Sequence, residues 1–228
     1  MAKYCTNCGK KLKEGEACDC KKDSIMNNET TKKALDLIKG MIYTPIDTIK
    51  EFTKKSNFNL AMILVGILSV ITGLFAMSLC KNGYNLYLGR TYNMNNPFIS
   101  GTIEIPYLKI FFTCTLLVFG LSFVYTFLLH LVNTNIFKRE ADFKEVYSMY
   151  GVCSIITSLG LLAAALLIFV NMTLGIVLFA LSSILNLVYS YHGISFLGNK
   201  DENKFGYIYL LTNVFFYIVI FIISKIFS

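Results

Sequence analysis

The chain has 228 residues, of which 55% are hydrophobic and 15% charged, with a mean hydropathy of +0.57 and a net charge of +7. Soluble domains normally carry charge on about a quarter of their residues, so this composition excludes an ordinary soluble protein and indicates a membrane protein. The first 57 residues differ from the rest, because they hold 12 of the 21 Lys and Arg residues. We expect a polar amino-terminal region, with no cleaved signal peptide, followed by a membrane domain.

Four cysteines near the start of the chain follow the pattern C-x2-C-x9-C-x-C. Zinc prefers four tetrahedral ligands, and C-x2-C places two thiolates on one tight turn, while Gly9 lets the backbone fold over the metal. With four sulfur ligands no position remains for water, so the metal would stabilise the tip and not catalyse a reaction. The pattern predicts a zinc ribbon over residues 1–20 with one structural zinc ion, held by Cys5, Cys8, Cys18 and Cys20.

Other roles for these cysteines are less consistent with the sequence. A disulfide framework is disfavoured if the tip faces a reducing cytoplasm, and a redox motif would need a larger surrounding fold than the tip supplies. The lysines of the tip favour nucleic acid as a partner, but its one aromatic residue, Tyr4, and its interleaved acidic residues disfavour it. The remaining cysteines are widely separated and are interpreted as small membrane residues: Cys80, Cys114 and Cys153.

A polar stretch without apolar periodicity, residues 21–33, predicts a flexible linker. Residues 34–57 are amphipathic and predict a juxtamembrane segment at the membrane surface. Thr44 is placed to cap a helix that begins at Pro45. One face of this helix carries Ile46, Ile49 and Phe52, and the opposite face carries Lys50 and Lys54.

Five later segments are long and apolar enough to cross a bilayer, whose hydrocarbon core needs about 20 helical residues. Each must be helical, because an unpaired backbone amide in lipid costs several kcal/mol. We therefore predict an all-α integral membrane fold in which a zinc ribbon and an interfacial helix precede a transmembrane domain over residues 58–228. The predicted spans are 58–80, 107–132, 148–170, 173–193 and 205–227, with a turn at Asn171 and a long outer loop over 81–106.

The distribution of positive charge predicts the orientation in the membrane, because Lys and Arg are retained on the cytoplasmic side. A cytoplasmic amino terminus places 17 of these residues inside and 4 outside. We expect a multi-pass protein of the plasma membrane with the amino terminus in the cytoplasm and the carboxyl terminus outside.

The spans contain few polar groups that point to chemistry. They carry no Asp or Glu, which disfavours an ion-coupled transporter, and no catalytic motif is recognisable, so we expect no enzyme. Stripes of small residues favour close helix packing. The best candidates for intramembrane polar contacts are Asn186 and Asn213.

Three stretches carry a family resemblance: YTPIDTIKEF before the first span, ADFKEVYSMYG entering the third, and the turn at Asn171. With these stretches the chain resembles bacterial members of the Yip-type membrane family, relatives of eukaryotic proteins that bind Ypt/Rab GTPases. The resemblance implies a five-span protein that works by interaction. The chain departs from the family pattern where Lys138, Arg139 and Glu140 replace a glycine pair, and where no proline follows Gly151.

The sequence thus predicts a non-enzymatic adaptor or scaffold in the lipid bilayer, with a protein partner bound through the zinc ribbon. The alternative is a passive transporter or permease-like component that the ribbon regulates. The sequence leaves the partner, any solute and the oligomeric state open.

Overall fold

The computed structural model of the chain describes residues 3–4, 11–12, 29–92, 106–198 and 204–226. The chain divides into two compact units, Met1–Leu37 and Ile38–Ser228. The predicted five-helix membrane domain falls in the second unit.

The first unit contains a two-stranded antiparallel ladder formed by β1 (Lys3–Tyr4) and β2 (Lys11–Leu12). Lys3 pairs with Leu12, and Tyr4 pairs with Lys11. Helix α1 (Glu29–Tyr43) also begins in this unit. Its start lies inside residues 21–33, which the sequence predicts as a flexible linker. An acidic residue at the first position of a helix is favourable, since the helix amino terminus carries partial positive charge.

Helix α2 (Pro45–Lys55) forms the predicted amphipathic helix, and it packs against the bundle. Ile49 and Phe52 are buried, whereas Ile46 remains 45% exposed. The predicted cap is wrong in detail, because Thr44 makes no side-chain capping bond. Its hydroxyl is instead directed at the carbonyl oxygen of Gly40, 3.5 Å away, so the Thr44 side chain contacts the end of α1 and does not cap α2.

The prediction of five membrane-spanning helices is confirmed, since five described helices have the required length and apolar character. Their bounds are α3 (Phe58–Tyr92), α4 (Tyr107–Leu131), α5 (Phe143–Val170), α6 (Met172–Ser195) and α7 (Phe205–Ile226).

The predicted loop over 81–106 is wrong in its first part, because α3 continues from Cys80 to Tyr92. The helix ends well beyond the apolar run since this stretch contains no proline, and a helix that has formed is extended at little cost.

Helix α5 is the most buried span, with 50% of its most apolar stretch inside the protein. It contacts α3 on one side and α6 on the other through glycines that leave no room for a side chain. A Cβ atom on Gly151 would lie 2.8 Å from the Cβ atom of Ala61, and one on Gly160 would overlap Ser182. An apolar core of α3 and α5 residues lies along this interface: Leu68, Phe75, Leu161, Ala164, Ala165 and Ile168.

Side-chain caps set the start of α5 and the start of α6, the helix that follows it. At the start of α5, Asp142 and Glu145 form a reciprocal capping box, which accounts for a helix that begins at Phe143 and not at the predicted Ser148. At its other end, Asn171 alone separates α5 from α6, as predicted. The Oδ1 atom of Asn171 accepts hydrogen bonds from the amides of Thr173 and Leu174, at 2.9 and 3.2 Å, and so caps α6.

Candidate functional site

The four predicted zinc ligands, Cys5, Cys8, Cys18 and Cys20, lie outside the residues that the structure describes. The described strands β1 and β2 stand on either side of the segment that carries Cys5 and Cys8 in the sequence. Among the described residues no group of three or more His, Cys, Asp or Glu side chains is placed to hold a metal ion.

Asn186 and Asn213, the predicted intramembrane polar residues, lie on different helices and line the same cavity. This cavity has a volume of about 280 Å³ and is bounded by α4, α5, α6 and α7. Its described lining residues carry no charged side chain. The lining consists of Val118, Leu121, Ser122, Tyr125, Tyr150, Asn186, Leu187, Ser190, Tyr209, Asn213, Phe216 and Tyr217.

The polar lining residues interact with one another across the helix boundaries. The hydroxyl groups of Ser122 on α4 and Tyr150 on α5 lie 3.3 Å apart. The Nδ2 atom of Asn213 donates to the carbonyl oxygen of Tyr209 at 2.8 Å, one turn earlier in α7. The cavity wall therefore presents neutral donors and acceptors from several helices.

Aromatic contacts hold the walls of the cavity in place. The rings of Tyr125 and Phe216 meet edge to face with their centroids 5.2 Å apart, which joins α4 to α7. Tyr125 also contacts Tyr150, at 5.6 Å, which joins α4 to α5. Edge-to-face aromatic pairs add about 1 kcal/mol to the burial of the rings.

The cavity lies toward one end of the bundle. This end, which we call the Arg139 end, is where the connections 132–142 and 196–204 join α4 to α5 and α6 to α7. At about 1.5 Å per residue, the polar lining residues other than Tyr217 are about 6 to 14 Å from the adjacent helix ends, whereas Phe216, Tyr217 and Val118 are about 16 to 20 Å from them. Most polar groups of the lining therefore lie in the part of the cavity nearer the Arg139 end.

Arg139 is buried at this end, with 5% of its surface exposed. Its Nη1 atom donates to Oδ1 of Asn133 at 3.3 Å and to the carbonyl oxygen of Ile194 at 3.4 Å. Its guanidinium lies 4.8 Å from the centre of the Phe205 ring. Because Ile194 is near the carboxyl end of α6 and Phe205 begins α7, one side chain connects three helix ends.

The connections at the Arg139 end also touch each other. Gly198 has a φ of +67°, and a Cβ atom there would lie 2.7 Å from the carbonyl oxygen of Glu140. Only glycine fits this position, because other residues rarely adopt such a φ and the neighbouring backbone leaves no space. A π-helical turn over Val132–Ile136 continues α4 into the first of these connections, and Asn133 lies in this turn.

Sequence reasoning missed most of the cavity. It identified the two asparagines from their polarity. The tyrosines of the lining, Tyr125, Tyr150 and Tyr209, could not be distinguished from the many other aromatic residues of the chain. Arg139 falls between the second and third predicted spans, and nothing in the sequence predicted that its side chain is buried. The replacement of a glycine pair by Lys138, Arg139 and Glu140 was the available sign that this loop differs from the family pattern.

Comparison with known proteins identifies the family of the membrane domain. No curated protein and no solved structure matches the chain. The Yip1 domain family matches residues 39–224, which include α2, the spanning helices α3 to α6, all but the last two residues of α7, and the cavity. The chain is therefore a membrane protein of the Yip1 domain family.

Proposed function

We propose that the protein is a non-enzymatic membrane scaffold that presents a zinc-bound tip to a protein partner at the cytoplasmic face of the plasma membrane. The observation that carries this proposal is the packing of α2 on the bundle. Ile49, with none of its surface exposed, and Phe52, with 6% exposed, fix α2 to the membrane domain. The polypeptide that precedes α2 therefore leaves the membrane domain from a fixed helix.

The exposed face of α2 suits the surface of a membrane. Lys50, Lys54 and Lys55 lie on it, and Lys55 pairs with Glu51. Exposed lysines at this level are attracted to anionic headgroups, by about 1 kcal/mol for each lysine near the surface. Together with the positive charge of the amino-terminal region, this supports a cytoplasmic amino terminus.

The β1–β2 ladder supports zinc as the metal of the tip. A ladder in which Tyr4 pairs with Lys11 brings together the two ends of the segment 5–10. Cys5 and Cys8 stand between these two strands in the sequence, which is the order expected of the first pair of ligands in a zinc ribbon. The remaining ligands in this proposal are Cys18 and Cys20.

Metal analysis combined with crosslinking in cells tests the proposal. We expect one zinc ion per chain in the detergent-purified protein, and none in a Cys5→Ser/Cys8→Ser variant. A Cys80→Ser/Cys114→Ser variant is the matched control, because it also loses two cysteines and should keep the metal. A photocrosslinker at Lys13 should capture a specific partner in the wild type and in the control only. Zinc-independent capture, or a protein without zinc, would refute the role of the tip.

A passive transporter remains the second candidate, because the cavity that contains Asn186 and Asn213 is polar and lies within the membrane domain. Transport would need a polar path through the bundle, whereas the apolar core of α3 and α5 is closely packed. Solute flux into vesicles that is lost in Asn186→Leu and Asn213→Leu would favour transport over the scaffold.

A further inference from the structure

We propose that the cavity between α4, α5, α6 and α7 binds the uncharged head of a neutral glycerolipid of the diacylglycerol type. The lipid's free hydroxyl group and ester carbonyls would bond to the tyrosines and asparagines of the wall, and its chains would lie against the bilayer-facing surface. This proposal does not depend on the metal or on a protein partner.

A cavity with this lining does not stay empty. Engineered cavities remain dry when their walls are apolar, whereas polar walls hold water or a ligand. Here the wall carries hydroxyl groups from Ser122, Tyr150 and Tyr209 and amides from Asn186 and Asn213. Some of these groups bond to one another or to the backbone, but their remaining donors and acceptors still lose free energy in a bilayer unless a ligand or water bonds to them, so an occupant is expected.

The chemistry of the wall selects an uncharged occupant. Phosphate groups are bound by Arg, Lys or clusters of backbone amides, and the described lining has no cationic side chain. Tyrosine and serine hydroxyl groups both donate and accept, and an asparagine amide offers two donors and one acceptor oxygen. A ligand hydroxyl group and ester carbonyls match such a set without leaving a charge unpaired.

The depth and the opening of the cavity indicate a lipid and not a water-soluble molecule. Most of the polar residues lie nearest the Arg139 end, and apart from Tyr217 the wall is apolar toward the middle of the bilayer, as in a lipid whose head is near the surface. Two lining residues, Leu187 and Tyr217, are also 50% and 67% exposed. The cavity therefore opens on the surface that faces the hydrocarbon.

The size of the cavity fits the head of a lipid. Ligand pockets start at about 300 Å³, and 280 Å³ is close to that limit. It can hold a glycerol unit and its ester groups, while the acyl chains remain outside. Exposed apolar side chains on α7 are available to contact these chains, including Leu210, which is 62% exposed.

Photolabelling of the full-length protein tests this inference. The protein is placed in phosphatidylcholine nanodiscs with a photoactivatable diacylglycerol or with a photoactivatable phosphatidylglycerol that has the same chains. We expect the diacylglycerol to label peptides of α4, α6 and α7 next to the cavity, with competition by unlabelled diacylglycerol. Equal labelling by the phosphatidylglycerol, or labelling without competition, would overturn the proposal.

Variants assign the labelling to the cavity. Tyr209→Phe and Asn213→Leu should each reduce it about fivefold, the effect of losing one neutral hydrogen bond. Asn82→Leu is the matched control, because Asn82 also donates from Nδ2 to the carbonyl four residues earlier, at 3.0 Å, but lies on α3 outside the lining. If Asn213→Leu fails to fold, Tyr209→Phe decides the question. Unchanged labelling in a folded Tyr209→Phe or Asn213→Leu variant would refute the site.

Discussion

The membrane domain has two sides that are built differently. On the packed side, formed by α3 and α5, 44% and 50% of the most apolar stretches are buried within the protein. On the cavity side, formed by α4 and α7, the corresponding values are 22% and 11%. Lipid is as apolar as a leucine side chain, so helices in a membrane pack closely only where small residues and polar contacts favour it. The packed side has glycines at its contacts, whereas the cavity side has tyrosines and asparagines.

The largest effect should come from a side chain added to the packed side. Gly151→Val places a branched side chain against Ala61, where a Cβ atom would already lie 2.9 Å from the Ala61 Cα atom. We expect about 3 kcal/mol of destabilisation, because the backbones of α3 and α5 must separate. Thermal unfolding in detergent measures the loss. Gly66→Val, in the partner helix α3, is the control, since nothing lies within 4 Å of its Cβ position. Equal losses in the two variants would contradict the close contact of Gly151 with Ala61 as the cause.

The attachment of α2 to the packed side should be the next most sensitive feature. Ile49→Ala removes a side chain that is fully buried between α2 and the bundle. We expect α2 to be destabilised by about 2 to 3 kcal/mol, the usual cost of a cavity in a packed interface. Faster hydrogen exchange of the α2 amides reports this release. Ile46→Ala should leave exchange unchanged because Ile46 is 45% exposed, and a similar increase in both variants would count against the packing.

On the cavity side, the contacts of Arg139 should stabilise the ends of α6 and α7. Arg139→Gln loses the guanidinium bonds to Asn133 and Ile194 and the contact with Phe205. We expect a loss of about 2 kcal/mol, the range for hydrogen bonds to a charged group. The midpoint of thermal unfolding should fall, whereas in Lys138→Gln, whose side chain is exposed, it should not. If Arg139→Gln unfolds at the same midpoint temperature as the wild type, the contacts of Arg139 do not stabilise the helix ends.

The smallest effect should come from the turn between α5 and α6. Asn171→Ala removes the acceptor for the amides of Thr173 and Leu174. The expected cost is about 1 kcal/mol, the usual value of an amino-terminal cap. Asn171→Asp keeps an acceptor oxygen and should retain most of the stability. If both variants unfold at the same temperature, the cap does not contribute.

The helices and their order were accessible from the sequence because lipid imposes a length and an apolar composition on each span. The turn at Asn171 was predicted for a similar reason: a charge-free run of 54 residues, 146–199, is too long for one crossing. The end of α3 at Tyr92 was missed because the thickness of the membrane sets the length of the apolar run, whereas the helix itself can continue beyond the membrane. The start of α5 was also missed, although Asp142 and Glu145 have the spacing of a capping box.

The cavity could not be predicted as a whole, because it is formed by contacts between helices that cannot be recognised from a single sequence. Asn186 and Asn213 stood out because amides are costly in lipid. Their neighbours Tyr125 and Tyr150 did not, since tyrosine occurs throughout the chain and often anchors helices at interfaces. The burial of Arg139 was not predicted either, because a charged residue in a connection between spans is normally exposed.

The single-residue turn at Asn171 has a consequence for how the protein is made. Helices α5 and α6 form a hairpin whose tip carries one neutral amide, already bonded to the backbone of α6. Moving this tip across a bilayer requires no charge transfer, so the two helices can insert together as one unit. Their final topology is then decided by the basic residues that flank the hairpin, Lys138 and Arg139 before it and Lys200 and Lys204 after it. Biogenesis of this half of the domain is therefore governed by charges outside the hairpin itself.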